Sequence, residues 1–413
     1  MPVRGIISLP GDKSISHRAL MLAALCDGET IIHNISRGED IHSTIKCLRM
    51  CGVDIDDNSN KVIIKGGTLT EPTSELNCEN SGTTARLLLG LLAGQKISAT
   101  IIGDSSLSSR PMDRLTIPLE LMGSQIKNNN CRLPLTIKTD YLMGINYILK
   151  ISSAQVKSAI LLAGLGANNI TSISEVNKSR DHTEIMMDQL GIDISTKNNI
   201  VKIKKLEKKL NPFEIFVSGD PSTASFFAAA ALLLKKEIVL EDILLNPTRL
   251  GFFYLIEKMG AKIEFSNEKM NFGEKIGNIK IKPSNLNAIE ITESMIPSII
   301  DELPIISILA ANAVGTTKVS GAKELRYKEC DRIEAICYNL KNMGVEILEE
   351  DDGFEISKKE FNGTTIKTYD DHRIAMAFTI AGLISNGENK LDNKDCVKIS
   401  CPNFYDLLKV NII

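Results

Sequence analysis

Two phrases alternate along this chain at a period of roughly 70 residues, and a repeat of that length restricts the fold to an array of supersecondary modules. The first phrase is an amphipathic helix closed by Gly and followed at once by a short strand. It reads LRMCGVDI (48–55), LELMGSQI (119–126), MDQLGIDI (187–194), IEKMGAKI (256–263) and LKNMGVEI (340–347), and the last spacing is the longest. The second phrase, an Ala/Leu-rich helix followed by a polar break and a β-rich run, occurs six times, at 19–34, 87–103, 159–174, 225–241, 305–321 and 375–391. Helices of the first set carry charges on one face. Those of the second are apolar nearly all round, so they must be buried on most sides. The implied unit is a strand–helix–strand–helix–strand module repeated six times. Any α/β protein has some Gly-ended helices, but the shared Met-Gly or Leu-Gly endings and the even spacing argue for a repeat.

With 413 residues the chain exceeds one comfortable core, and two domains of three modules each account for the length. The midpoint between the third and fourth modules follows a solvated lysine-rich stretch, KIKKLEKKLNP (202–212), which puts a crossing between domains near Ser218-Gly219. A hydrophobic content of 43% with 24% charged residues is that of a globular protein. A net charge of −3 offers no field for nucleic acid or a membrane surface, so any anion site must be built locally. Every apolar run is interrupted before the roughly 18–20 residues of a membrane span, and the start MPVRGIISLP lacks a signal-peptide core; a cytoplasmic location is expected. Nine Cys without a CxxC pair predict reduced, mostly buried thiols, and five dispersed His give no metal-ligand spacing.

Candidate chemistry collects where the buried helices begin. In LPGDKSISHRALMLAAL (9–25), Pro10-Gly11 is a turn and Asp12, Ser14 or Ser16 is placed to cap a helix beside Lys13 and Arg18. A helix N-terminus with added cations makes a receptor for phosphate or carboxylate, although a capped helix with surface cations explains the same residues. NSGTTARLLLG (80–90) offers Gly82 for close backbone approach and Thr83-Thr84 as caps, with Arg86 open between a site role and a surface charge. GDSSLSSRPMDRL (103–115) places Arg110 just before Pro111, which suits the first turn of a helix. SSAQVKSAILLAG (152–164) and SRDHTEIMM (179–187) repeat the pattern with Ser152, Ser153, Gln155, Ser179, Arg180 and His182. In the second half, Asp301-Glu302 stand at the mouth of a buried helix, as a base or a cap. The run 324–335 alternates Lys328, Glu329, Asp331 and Arg332, and Asp370 to Arg373 precede the last buried helix. Arg suits planar, bidentate carboxylate recognition.

Taken together, LPGDKSISHRAL, NSGTTARLLLG, SSRPMDRL, SSAQVKSAILLAG, SRDHTE, GDPSTASFF, DELP, YKECDRIEA and DDHRIAMAF resemble the 5-enolpyruvylshikimate-3-phosphate synthase family along essentially the whole chain. The resemblance implies two inside-out α/β domains of the enolpyruvyl transferase fold, each of three βαβαββ modules, joined by two crossings. Residues 10–218 would form the shikimate-3-phosphate side, and residues 1–9 with 219–413 the second domain. The implied reaction transfers the enolpyruvyl group of phosphoenolpyruvate to the 5-hydroxyl of shikimate 3-phosphate, without metal or organic cofactor and in a monomer. By the same resemblance, Lys13, Ser14, Arg18, Ser153, Ala154, Gln155, Ser179, Asp301 and Lys328 contact shikimate 3-phosphate. Lys13, Gly82, Arg110, Gln155, Arg332 and Arg373 contact phosphoenolpyruvate.

Several cations would offset the repulsion of two anionic substrates as the domains close. Asp301 is expected to act as base, with Lys13 and Glu329 handling protons. Three departures stand out: His182 where members often have Tyr, Ala154 where some have a second Ser, and Ile399 rather than Lys three residues before Pro402, with Lys398 one position off. A related enolpyruvyl transferase acting on UDP-N-acetylglucosamine is the nearest alternative, but it usually carries a reactive Cys in the loop matching 103–111, where this chain has none. A non-catalytic anion-binding or RNA-processing protein built from similar modules is the alternative of another class, and the acidic balance with the lack of interleaved aromatic and basic residues counts against RNA.

Overall fold

A computed structural model describes residues 5–58 and 61–412 of the chain. The described residues form a mixed α/β structure that divides into two units. The first unit takes Gly11–Val217, and the second takes the described residues up to Pro10, Ser218–Met270 and the chain from Lys275. Residues Asn271–Glu274, the tip of a long hairpin, group with the first unit rather than with the stretch 219–413 in which the sequence places them.

The recurrent glycines do what their position predicts. Gly52, Gly123, Gly191, Gly260 and Gly344 all adopt positive φ, between 73° and 112°, just beyond the helices Glu39–Met50, Asp113–Leu121, His182–Gln189, Gly251–Lys258 and Arg332–Asn342. A strand follows each within a few residues, because the left-handed turn reverses the chain without the steric cost a Cβ would bring. The Ala/Leu-rich phrases form the helices Lys13–Ala23, Gly82–Gln95, Ala154–Gly164, Pro221–Leu233, Leu303–Ala310 and His372–Gly382, each buried along most of its length. Gly90 and Gly94 let Gly82–Gln95 press against Ala154–Gly164, and a Cβ on Gly90 would stand 2.1 Å from the Ala159 carbonyl oxygen.

Each complete module ends in a two-stranded hairpin rather than a single strand, giving five four-stranded sheets among the described residues. In each, the first strand runs parallel to the second and the hairpin adds antiparallel strands. The first module of each unit borrows its leading strand from far along the chain. Glu214–Phe216 pairs in parallel with Gly28–His33, and Ile6–Ser8 with Ile238–Leu244. The sixth module departs from the expected βαβαββ pattern: Thr365–Ile366 and Lys390–Leu391 pair as a two-stranded sheet, and the chain then runs through Phe404–Asn411 with no hairpin among the described residues. That is why the sequence holds six copies of the buried-helix phrase and only five of the Gly-ended one.

The nine cysteines are free; Cys131 is exposed, Cys330 half-buried and the rest buried. Among the described residues no helix is long and apolar enough to cross a membrane, and no group of three or more His, Cys, Asp and Glu is placed to hold a metal ion.

Candidate functional site

In the first unit the site grows from three helix starts. Asp12 caps Lys13–Ala23 by accepting from the Ile15 amide at 2.8 Å. Ser81, not the expected Thr83 or Thr84, caps Gly82–Gln95, accepting from the Thr84 amide at 3.2 Å. Ser153 caps Ala154–Gly164 through the Val156 amide. Helix N–H groups and dipoles thus gather with Lys13, Arg18 and Gln155, which suits anionic ligands.

Lys13 is the first residue of its helix, and its ammonium is 2.7 Å from Asp40 Oδ2. Behind this pair runs a buried relay of hydroxyls. Thr84 Oγ1 donates to the Asp40 carbonyl at 3.2 Å and lies 2.7 Å from Thr44 Oγ1, which meets His17 Nδ1 at 2.8 Å. His17 is fully buried, and desolvation drives its pKa down to about 3, so it is neutral at physiological pH.

Arg18, expected to meet ligand, also braces the site. It donates to Thr183 Oγ1 and Ser158 Oγ at 2.7 Å each, and to the Ser14 carbonyl at 2.9 Å. Gly82 is pressed between two guanidinium groups: a Cβ there would stand 2.6 Å from Arg86 NH1 and 3.3 Å from Arg110 NH1. Arg110 follows the short helix Ser105–Ser109 and donates to Asn80 Oδ1 and Ser106 Oγ at 2.7 and 3.1 Å. The next helix begins only at Asp113, later than Pro111 suggests. Gln155 joins the cluster, accepting from Arg86 at 2.9 Å and donating to Thr83 Oγ1 at 2.9 Å.

Arg86 is therefore a site-lining cation that the motif left open. Its position one helical turn after Gly82 was the available signal.

Ser179 hydrogen-bonds Glu175, and Glu175 is paired with the buried Lys157. His182, where the family often has Tyr, turns into the interior: Nδ1 is 2.6 Å from Glu274 Oε1 on the hairpin tip. Lys398 pairs with Asp395 at 2.9 Å.

In the second unit Asp301, Lys328, Glu329, Arg332 and Arg373 come together. The Asp301 carboxylate is 3.7 Å from Lys328 Nζ, 3.6 Å from Arg332 NH1 and 3.8 Å from Arg373 NH2, and its carbonyl accepts from Arg373 NH1 at 2.9 Å. Arg332 is buried, with Glu329 Oε2 2.7 Å from NH2 and Asp371 Oδ2 2.7 Å from Nε.

Burial opposes charge on Arg332, but the surrounding carboxylates, Asp371 first, outweigh it and raise its pKa. Asp371 is buried too. Desolvation works against its carboxylate, yet Arg332 prevails and its pKa is lowered. Asp371 also caps His372–Gly382 through the Arg373 and Ile374 amides. The network continues from Arg373 NH1 to Glu302 Oε1 at 3.6 Å, and through Ser222 to Arg249 and Asp220.

Comparison with known proteins fits this geometry. The family described as EPSP synthase (3-phosphoshikimate 1-carboxyvinyltransferase) matches residues 1–408. The 3-phosphoshikimate 1-carboxyvinyltransferases of Petrotoga mobilis and Thermodesulfovibrio yellowstonii are 46% and 44% identical, over 98% and 99% of this chain and 96% and 97% of theirs. A solved EPSP synthase from Acinetobacter baumannii superposes with a TM-score of 0.87 at 40% identity, covering 98% of this chain and 95% of that one. The two-domain enolpyruvyl transferase fold follows from that likeness. The chain belongs to the EPSP synthase family, the 3-phosphoshikimate 1-carboxyvinyltransferases.

Proposed function

We propose that this chain transfers the enolpyruvyl group of phosphoenolpyruvate to the 5-hydroxyl of shikimate 3-phosphate, releasing phosphate, as a step of the shikimate pathway. One observation carries the reading beyond kinship. A guanidinium, Arg332, is fixed from two sides by Asp371 and Glu329, and its NH1 makes no hydrogen bond among the described residues. A buried cation whose NH1 meets only the Asp301 carboxylate, at 3.6 Å and beyond hydrogen-bond distance, keeps a donor for the carboxylate of phosphoenolpyruvate, and Arg373 beside it can complete the grip.

The addition needs a base for the hydroxyl and an acid for the methylene carbon. Removal of a proton from the resulting methyl group by a base then restores the double bond as phosphate leaves. Asp301 is the base in this proposal, its charge balanced by Lys328, Arg332 and Arg373, while Glu329 and Lys13 handle the methylene proton. Gly82 and Arg110 take the phosphate of phosphoenolpyruvate, with Gln155 and Lys13 serving both substrates. Ser14, Arg18, Ser153, the Ala154 backbone, Ser179, Asp301 and Lys328 hold shikimate 3-phosphate. We place the activity in a cytoplasmic monomer without cofactor, whose domains close on the substrates.

The absence of Cys between Gly103 and Pro111 argues against the UDP-N-acetylglucosamine enzyme. Phosphate release decides the matter: it is expected only with phosphoenolpyruvate and shikimate 3-phosphate together. Release with UDP-N-acetylglucosamine instead would overturn the proposal.

A further inference from the structure

Lys157 interrupts the apolar run of the helix Ala154–Gly164, and almost no solvent reaches it: its side chain is 1% exposed. A buried ammonium needs counter-charges, and it has two, Glu175 Oε2 at 2.7 Å and Glu184 Oε1 at 2.8 Å. All three polar groups of the half-buried Ser179 are tied to this cluster. The Ser179 hydroxyl donates to Glu175 Oε1, its amide reaches Glu175 Oε2 at 3.4 Å, and its carbonyl receives Lys157 Nζ at 3.5 Å.

A serine hydroxyl has one proton to give. While Glu175 holds it, Ser179 presents only lone pairs outward, and the carboxylate behind it adds negative charge. Both effects disfavour a phosphate dianion at Ser179.

From this geometry we infer that Glu175 is a positioning residue that sets the affinity for the phosphate monoester by competing for the Ser179 hydroxyl proton. The inference rests on the reading of Ser179 as a shikimate 3-phosphate contact. Glu175→Gln keeps the shape, accepts from Lys157 through its carbonyl and can donate its amide to Ser179 Oγ, which releases the hydroxyl proton outward and removes a charge.

The test is a double-mutant cycle of Glu175→Gln and Ser179→Ala, reading the dissociation constant of shikimate 3-phosphate by calorimetry and both KM values. Glu175→Gln is expected to tighten shikimate 3-phosphate binding about fivefold while the KM for phosphoenolpyruvate stays within twofold. Ser179→Ala is expected to cost less than threefold in the wild type, where the hydroxyl is already engaged, and about tenfold when Glu175→Gln is already present. Binding unchanged or weakened by Glu175→Gln, or a tightening that survives Ser179→Ala, overturns the inference. If Glu175→Gln does not fold, Ser179→Ala alone decides: a loss under threefold supports the inference, and a larger one would mean the hydroxyl was never held back. A wild-type protein that releases no phosphate with both substrates would instead overturn the reading of function.

Discussion

Arg332 Nε lies 2.7 Å from Asp371 Oδ2, and both side chains are withdrawn from solvent, at 1% and 0% exposure. The pair fixes the guanidinium plane from behind while Asp371 caps the helix that carries Arg373. One carboxylate thereby orients both arginines proposed for the carboxylate of phosphoenolpyruvate.

Asp371→Asn should therefore destabilise the protein by about 3–5 kcal/mol, since it strips a buried guanidinium of its one fully buried counter-charge. The KM for phosphoenolpyruvate should rise more than that for shikimate 3-phosphate. Because the carboxyl is held below its ordinary value in the folded state, its contribution is present above the unfolded carboxylate range and lost as the pH falls through the folded one. Urea unfolding at pH 7 and well below pH 3.8 checks this: the variant's deficit should persist down to the ordinary carboxylate range and shrink only below it.

Asp301→Ala should lower kcat by about 10²–10⁴, the usual contribution of a positioned base. Arg332 keeps Asp371 and Glu329, and Arg373 keeps the residue 301 carbonyl, so binding should survive. Steady-state kinetics with direct binding of phosphoenolpyruvate separates the two; near-normal turnover would remove Asp301 from the role of base.

His17 supplies a pH dependence of its own. Its folded pKa of about 3 is below the unfolded 6.5, so the unfolded state binds more protons between those values and stability falls as the pH drops below 6.5. At pH 5 the loss amounts to about 2 kcal/mol. His17→Gln should flatten that part of the stability profile in urea titrations from pH 7 to 5, while a slope unchanged from wild type would mean the imidazole is not the cause.

Gly82→Ala should raise the KM for phosphoenolpyruvate about tenfold and leave that for shikimate 3-phosphate less affected. The added methyl would stand 2.6 Å from Arg86 NH1 and push that guanidinium away from Gln155. The expected loss, on the order of 1–3 kcal/mol, is that of overfilling a packed position. Kinetics of Gly82→Ala and of Gly82→Ala with Arg86→Ala test it, because removing the obstructing side chain should reduce the penalty of the methyl.

Much of the architecture could be read from spacing alone, since a Gly-ended helix needs a left-handed residue and an all-apolar helix needs burial on every side. Both are local demands that Gly52 or Phe226 states plainly. The helix starts were visible as small polar residues before apolar runs, although which of Asp12, Ser14 and Ser16 caps is decided by geometry. Less visible were the residues that act on other residues. Asp371 reads as a cap, and Arg86 as a surface charge, until the partners that meet them across the fold are known. Lys157 was the clearest missed signal, a lysine where only a buried pair could tolerate one.

The borrowed strands carry a consequence for synthesis. Ile31 aligns with Glu214, so the sheet beneath the helix bearing Lys13 gains its parallel edge only after two further modules have been made. Until Glu214–Phe216 emerges from the ribosome, the nascent chain exposes an unpaired β edge, and closing it spans a long loop. Commitment of the helix bearing Lys13 to its final setting is therefore a late event, governed by contact order rather than by the helix's own propensity.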